Sequence, residues 1–257
     1  MTELRCERRG GQAWLVMAGA DPLHLYDDEL ASQLRQTLFG LRRDPEVDVI
    51  VLTADGECFS AGADLRREGS AAPGDGAGQL GQAYDALTQT HTLFRLLETM
   101  PQTCVAGVNG DAFGAGLILA LLCDLIVVAD EARVGFTMAR FGLADGITTR
   151  RLASRVGRTV ANELLLTGRV VRGPETVTLG LANRNAPRAS FAASVEELAQ
   201  EVQRCGPAAR RRIKQALLDQ LPPFDFEVHL ESYLDPEVGE GASAFLERRP
   251  PRWPGRG

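Results

Sequence analysis

Apolar residues follow two rhythms along this chain: short unbroken runs, and stretches that return every three or four positions. Ala13–Ala18 and Val47–Thr53 are apolar runs that predict strands. Between them, Asp27–Arg43 carries Leu30, Leu34, Leu38 and Leu41 at helical spacing. Asp27 and Asp28 open this stretch and Arg42 and Arg43 close it, each charge at the end the helix dipole favours. Thr103–Val108 and Leu125–Ala129 predict further buried strands, Val134–Phe136 a short one and Leu181–Ala186 a last one. Tyr84–Met100 predicts a helix with Leu87, His91, Phe94 and Leu97 on one side, and Leu117–Cys123 a short apolar helix. From Thr148 onward the pattern is mostly helical: Arg151–Val156, Val160–Leu166, Glu175–Leu179, Glu196–Cys205, Ala208–Leu221 and, with breaks, Val228–Leu246. Strands alternating with helices argue an α/β fold.

Two turns break this pattern where strands stop. Ala54–Leu65 contains Phe59-Ser60-Ala61-Gly62-Ala63-Asp64-Leu65, and residues 109–116 read Asn-Gly-Asp-Ala-Phe-Gly-Ala-Gly. Small residues let another molecule approach the backbone, leaving N–H groups free to donate. The second turn opens into a helix, so its N–H groups also carry the positive end of the dipole. Two such turns facing each other can clamp one carbonyl oxygen as an oxyanion hole. Taken singly, each turn reads equally as tight packing. Between the turns, Glu68–Gly81 holds five glycines and little that is apolar. It predicts a mobile loop, or an insertion without a role.

Composition narrows the chemistry. The net charge is −6, which argues against general affinity for nucleic acid. Lys214 is the sole lysine, so no Gly-Lys-Ser/Thr phosphate loop can be written. The three histidines, His24, His91 and His229, are far apart, and no cysteine pair has metal-ligand spacing, so no metal is expected. Five unpaired-looking cysteines suit a reducing, cytoplasmic setting. The longest apolar stretch, Leu117–Cys123, falls far short of the roughly 20 residues of a membrane span, and the charged N-terminus has no targeting pattern.

The two turns together, with Cys123-Asp124, Gly157, Thr167-Gly168 and the closing Phe245-Leu246-Glu247-Arg248-Arg249-Pro250, resemble the crotonase superfamily of enoyl-CoA hydratases and isomerases over nearly the whole chain. The resemblance implies a spiral of β-β-α turns. Residues 1–187 would form the acyl-thioester core, and 188–257 a helical region that builds trimers or hexamers. It implies an acyl-CoA ligand, with coenzyme A as part of the substrate and no other cofactor. The N–H groups of Ala61 and Ala115 would hold the thioester oxygen and stabilise an enolate. Ala63, Asp64 and Leu65 would meet the adenine end, Gly114 would belong to the clamp, and Phe245 and Arg248 would reach the coenzyme.

The chain departs from the hydratase pattern in ways that change the expected reaction. The two positions where hydratases carry glutamates read Ile118 and Met138. Neither side chain can move a proton, so ordinary water addition is not expected. Asp145 resembles instead the aspartate of dienoyl-CoA isomerases and chlorobenzoyl-CoA dehalogenases, although the second acid of the isomerases is replaced by Thr137. Asp145 reads equally as a cap for the helix starting near Thr148. His91 resembles the dehalogenase base, or is a packed histidine on an apolar face. Ala20-Asp21-Pro22-Leu23-His24-Leu25 is shorter than the matching loop of relatives. That keeps a carrier-protein thioester open as the substrate, while the loss of both glutamates keeps an acyl-CoA-binding protein without turnover as the rival function.

Overall fold

The computed structural model describes residues 2–64 and 76–254. The parallel sheet is built where the apolar runs predict strands. Strands β1 (Thr2–Arg9), β2 (Gln12–Gly19), β3 (Val49–Ala54), β5 (Thr103–Val108), β7 (Leu125–Ala129) and β10 (Arg184–Ala186) stand side by side in the order β1-β2-β3-β5-β7-β10. Only β1 runs antiparallel to its neighbour. Every residue of β3 is buried, as an unbroken Val-Ile-Val-Leu-Thr-Ala run requires when both faces of a sheet are covered. Helix α1 (Asp28–Leu41) buries the four leucines of its stripe, and the Asp27 carboxylate caps it by accepting from Leu30 N.

A second sheet is made of much shorter pieces: β4 (Cys58–Ser60), β6 (Asp111–Phe113), β8 (Arg133–Gly135) and β9 (Val170–Arg172). Three successive strands of the first sheet each hand on to a short strand of the second: β3 to β4, β5 to β6, β7 to β8. Helix α2 (Gly76–Glu98), helix α3 (Gly114–Leu121), and a 3₁₀ turn (Met138–Phe141) followed by helix α4 (Thr148–Thr167) complete these units. Strand–strand–helix units stacked in register give the expected spiral. Their stacking depends on missing side chains. A Cβ at Gly110 would lie 1.8 Å from the Glu57 carbonyl oxygen, and one at Gly116 would lie 2.5 Å from Ser60 Cβ.

The structure corrects several expectations. The charged N-terminus is a full edge strand, β1, whose polar residues alternate along an exposed face. Of the glycine-rich segment Glu68–Gly81, residues 76–81 form the first turns of α2, and the rest lies outside the described residues. The two short helices expected at 151–156 and 160–166 are present as the two parts of α4, separated at Gly157, whose φ of 77° and ψ of 160° are not helical.

The C-terminal region divides its work. Helix α5 (Gly173–Thr178) leads to β10, and α6 (Arg188–Gln203) then lies on the large sheet, burying Phe191, Val195, Leu198 and Ala199. Leu198, expected on an oligomer face, is therefore core, and packing continues unbroken across 187/188. Helix α7 (Pro207–Leu218) buries no residue and exposes Ile213 and Leu217 to 60% each. Helices α8 (Phe226–Leu234) and α9 (Pro236–Leu246) return to α2 and the 3₁₀ turn. All five cysteines are free, and no helix among the described residues is long and apolar enough to cross a membrane.

Candidate active site

The two small-residue turns meet at the end of the second sheet, because β4 and β6 pair in parallel. Gly62 has φ +90°, and a Cβ there would sit 2.7 Å from the Phe113 carbonyl oxygen and 3.4 Å from the Ala115 nitrogen. The backbone around Gly62 is thus pressed against the opening of α3. Ala115 belongs to the first turn of that helix, where backbone N–H groups have no intrahelical acceptor.

The partner donor is not the one expected. Ala61 N–H already donates to the Leu23 carbonyl at 2.8 Å, so it is not free to hold a ligand. Gly62 N–H leans on Ser60 Oγ at 3.3 Å, and that hydroxyl donates to the His24 carbonyl at 2.7 Å. Ala63 is different. It bridges to Tyr26 through the Gly62 carbonyl, which accepts from Tyr26 N at 2.9 Å, and its own N–H has no acceptor among the described residues. Among the described residues, the facing turns therefore offer the Ala63 N–H and the first-turn N–H groups of α3, Ala115 included, as donors.

Ile118, in α3, and Met138, the positions where the resemblance to hydratases implies acids, are apolar and buried. The Met138 sulfur lies 3.9 Å from where a Cβ at Gly114 would stand, which places the thioether at the helix opening. Thr137 is half-buried at the start of the 3₁₀ turn. Desolvated surfaces of this kind strengthen any hydrogen bond formed nearby.

Asp145 is an acid held in the interior of the chain. Only 4% of it is exposed. Its Oδ1 accepts from Thr148 N at 2.6 Å and Ile147 N at 3.1 Å, so the capping role read from the sequence is present. Both backbone bonds fall on Oδ1, and the Thr148 hydroxyl also acts on the carboxyl. Burial raises the carboxyl above its ordinary value, outweighing the stabilising backbone bonds and the nearby His91.

His91 stands in an aromatic enclosure. Phe224 and Phe226 meet its ring edge-on, with centroids 5.9 and 5.1 Å away. Its Nε2 is 3.0 Å from Nδ1 of His229, a residue of α8. Desolvation, then the neighbouring His229, push His91 below the usual histidine value, and Asp145 pulls the other way. His229 is lowered by burial as well. The structure thus brings Asp145 and His91 into one electrostatic unit and adds His229, Phe224 and Phe226 from the C-terminal region. Sequence reasoning missed these three, since their partners lie far away along the chain. The one available signal was His229 itself, a histidine in an otherwise apolar stripe.

The strap carrying these residues is tied down firmly. Asp225 N donates to the Gly146 carbonyl at 2.9 Å, directly beside Asp145. Arg151 pairs with Glu98 in the interior, donates to the Pro222 carbonyl at 2.6 Å, and lies over the Phe224 ring.

The residues expected to meet coenzyme are spread more widely. Ala63 and Asp64 are half-buried next to the clamp, and Leu65 lies outside the described residues. Phe245 is exposed, with its ring against Phe141 at 5.2 Å. Arg248 is exposed with φ +54°, and its neighbour Arg249 takes the ion pairs to Glu240 and Glu247. No group of three or more metal-binding side chains occurs among the described residues.

A spiral of paired sheets with two facing backbone turns defines a class of thioester-handling folds, and comparison places the chain within it. The profile of the enoyl-CoA hydratase/isomerase family matches residues 21–256. A Thermus thermophilus protein named as an enoyl-CoA hydratase is 39% identical over 235 residues, covering 88% of this chain and 90% of its own. The carnitinyl-CoA dehydratase of Citrobacter koseri is 32% identical over 246 residues, 90% of each chain. The crystal structure of an enoyl-CoA hydratase from Mycobacterium avium subsp. paratuberculosis superposes with a TM-score of 0.83 over 97% of this chain and 98% of that one, at 24% identity, and shares its fold. The chain belongs to the enoyl-CoA hydratase/isomerase family.

Proposed function

We propose that this protein is an enzyme acting on an acyl-CoA thioester, with proton transfer at Asp145 and His91 in place of water addition by two glutamates. The thioester oxygen is held by the N–H groups of Ala63 and Ala115. Charge developing on that oxygen as an enolate forms is met by preorganised donors, one of them at a helix N-terminus, in surroundings with little water. Asp145 exchanges the proton next to the thioester through Oδ2, while Oδ1 stays fixed by the helix it caps. Its raised proton affinity makes it a better base than an exposed carboxylate. Return of the proton by Asp145 or His91 at another carbon of an unsaturated chain makes the reaction an isomerisation, and its delivery to a departing group one carbon further on makes it an elimination. Attack by the carboxylate on the thioester carbon would instead expel the coenzyme A thiolate and leave an acyl anhydride for water to cleave, a hydrolysis.

The observation that carries this reading is the pairing of the Ala63 and Ala115 N–H donors with a buried acid, Asp145, that makes no ion pair among the described residues. Relatives named as acting on enoyl-CoA and carnitinyl-CoA support coenzyme A over a carrier protein. The trimeric or hexameric state and the coenzyme contacts of Arg248 and Phe245 belong to the same proposal. One feature supports the rival, a binding protein without turnover: the Asp145 cap is what a purely structural aspartate would also make.

Infrared spectroscopy of butyryl-CoA labelled at the thioester carbonyl tests the clamp without needing turnover. Binding should move the carbonyl stretch to lower frequency. Ala115→Pro deletes one N–H in a helical first turn that tolerates proline, and should reverse much of that shift. An unshifted carbonyl in the bound parent complex would refute the clamp.

A further inference from the structure

We propose that His229 is a positioning residue: it holds His91 in the Nε2–H form, leaving His91 Nδ1 unprotonated as the proton acceptor of the site. This deepens the reading of Asp145 and His91 given above and rests on it.

The geometry starts from the 3.0 Å contact between His91 Nε2 and His229 Nδ1. Two neutral imidazoles at this distance share one proton, so one nitrogen donates and the other accepts. Just one of the two arrangements puts both rings in the Nε2–H form that free histidine prefers. In it His91 donates from Nε2 and His229 accepts at Nδ1. His91 Nδ1 then keeps its lone pair.

The surroundings keep the pair neutral. Both rings are buried, and Phe224 and Phe226 close over His91. His229 from α8 and Asp145 from the turn before α4 are the titratable groups acting on His91. The cations nearby do not reach it: Arg151 and Arg95 lie across the Phe224 ring, and Arg151 is neutralised by Glu98. Arg150 is paired with Asp225 on the strap. Charging either ring would place a cation in this enclosure beside a second imidazole. A neutral, singly oriented His91 is the form that can relieve Asp145 of a proton.

Nitrogen-15 NMR of histidine-labelled protein reads each ring nitrogen directly, with no substrate present. Variants of His24, His91 and His229 assign the signals. At neutral pH the parent should show His91 with a pyrrole-type Nε2 and a pyridine-type Nδ1, without averaging. His229→Asn retains an amide oxygen able to accept from His91 Nε2 and should leave that pattern intact. His229→Leu removes the acceptor and should give averaged His91 nitrogen shifts, with its titration moving up towards the ordinary histidine range. A His91 in the parent that is averaged, or protonated at Nδ1, overturns the proposal whatever the variants do. Unchanged His91 shifts in a folded His229→Leu also overturn it. Neither result bears on whether Ala63 and Ala115 hold a thioester, which the infrared shift reports separately.

Discussion

Ala61 N–H donates to the Leu23 carbonyl at 2.8 Å, tying the turn after β4 to the loop before α1. The bond occupies the Ala61 N–H, and our proposal therefore gives the ligand-facing role to Ala63, two positions on. Ala61→Pro should therefore cost about 0.5–1.5 kcal/mol of stability, the net worth of one hydrogen bond, as measured by urea unfolding. The carbonyl shift of bound butyryl-CoA should persist in the folded variant. Loss of that shift would return the donor to Ala61.

Hydration of crotonyl-CoA should be negligible. Ile118 and Met138 line the places where two acids would add water, and each such acid is worth about 10²–10⁴-fold. Decay of crotonyl-CoA absorbance at the rate of an ordinary hydratase would contradict this.

Acid should destabilise the protein before it reaches the carboxylates. His91 and His229 are each held down to about 4 in the folded chain, against about 6.5 unfolded. Between those values the unfolded chain binds more protons, so stability rises with pH across the window. The contribution is present in full above about pH 6.5 and is lost as pH falls towards 4. Asp145 acts in the opposite sense, because its folded carboxyl holds a proton more tightly than usual, but one acid opposes two histidines. Urea midpoints should climb between about pH 4.5 and 6.5, and climb less steeply in His229→Asn. A flat profile would show that the histidines are not buried as neutral rings.

Helix α7 predicts association. Within the chain it largely buries the polar side chains of Arg210 and Lys214 but leaves Ile213 and Leu217 as an exposed apolar face of the kind that self-association covers. Light scattering should give a multiple of the 27.7 kDa chain, a trimer or twice that. Ile213→Glu with Leu217→Glu should reduce the mass towards one chain if this face lies in the interface. A parent protein that scatters as a monomer at micromolar concentration would rule the assembly out.

Much of the scaffold is readable along the sequence because its signals are local. The Val-Ile-Val-Leu run of β3 and the leucine stripe of α1 each announce burial on their own. The cap at Asp145 is also local, since its acceptor and donors lie within three residues. Strands β4 and β6 are three residues long and are defined by each other, so neither has a period to detect. The Ala61–Leu23 bond and the His91–His229 contact span 38 and 138 residues, and nothing near either partner encodes the other. Strand β1 escaped notice because an edge strand with one exposed face needs few apolar residues.

Deuterium exchange tests the central claim most directly, since it asks for enolate formation and nothing further. Butyryl-CoA incubated with the protein in D₂O is followed by proton NMR at the carbon beside the thioester. There Asp145 removes one proton and a deuteron returns to the same carbon. The parent should exchange that position. Asp145→Asn preserves the cap, so acyl-CoA affinity should stay within a few-fold while exchange slows by roughly 10²-fold or more. Exchange in Asp145→Asn at the parent rate would contradict the assignment of Asp145, and a parent that binds butyryl-CoA without exchanging it would contradict the enolate mechanism.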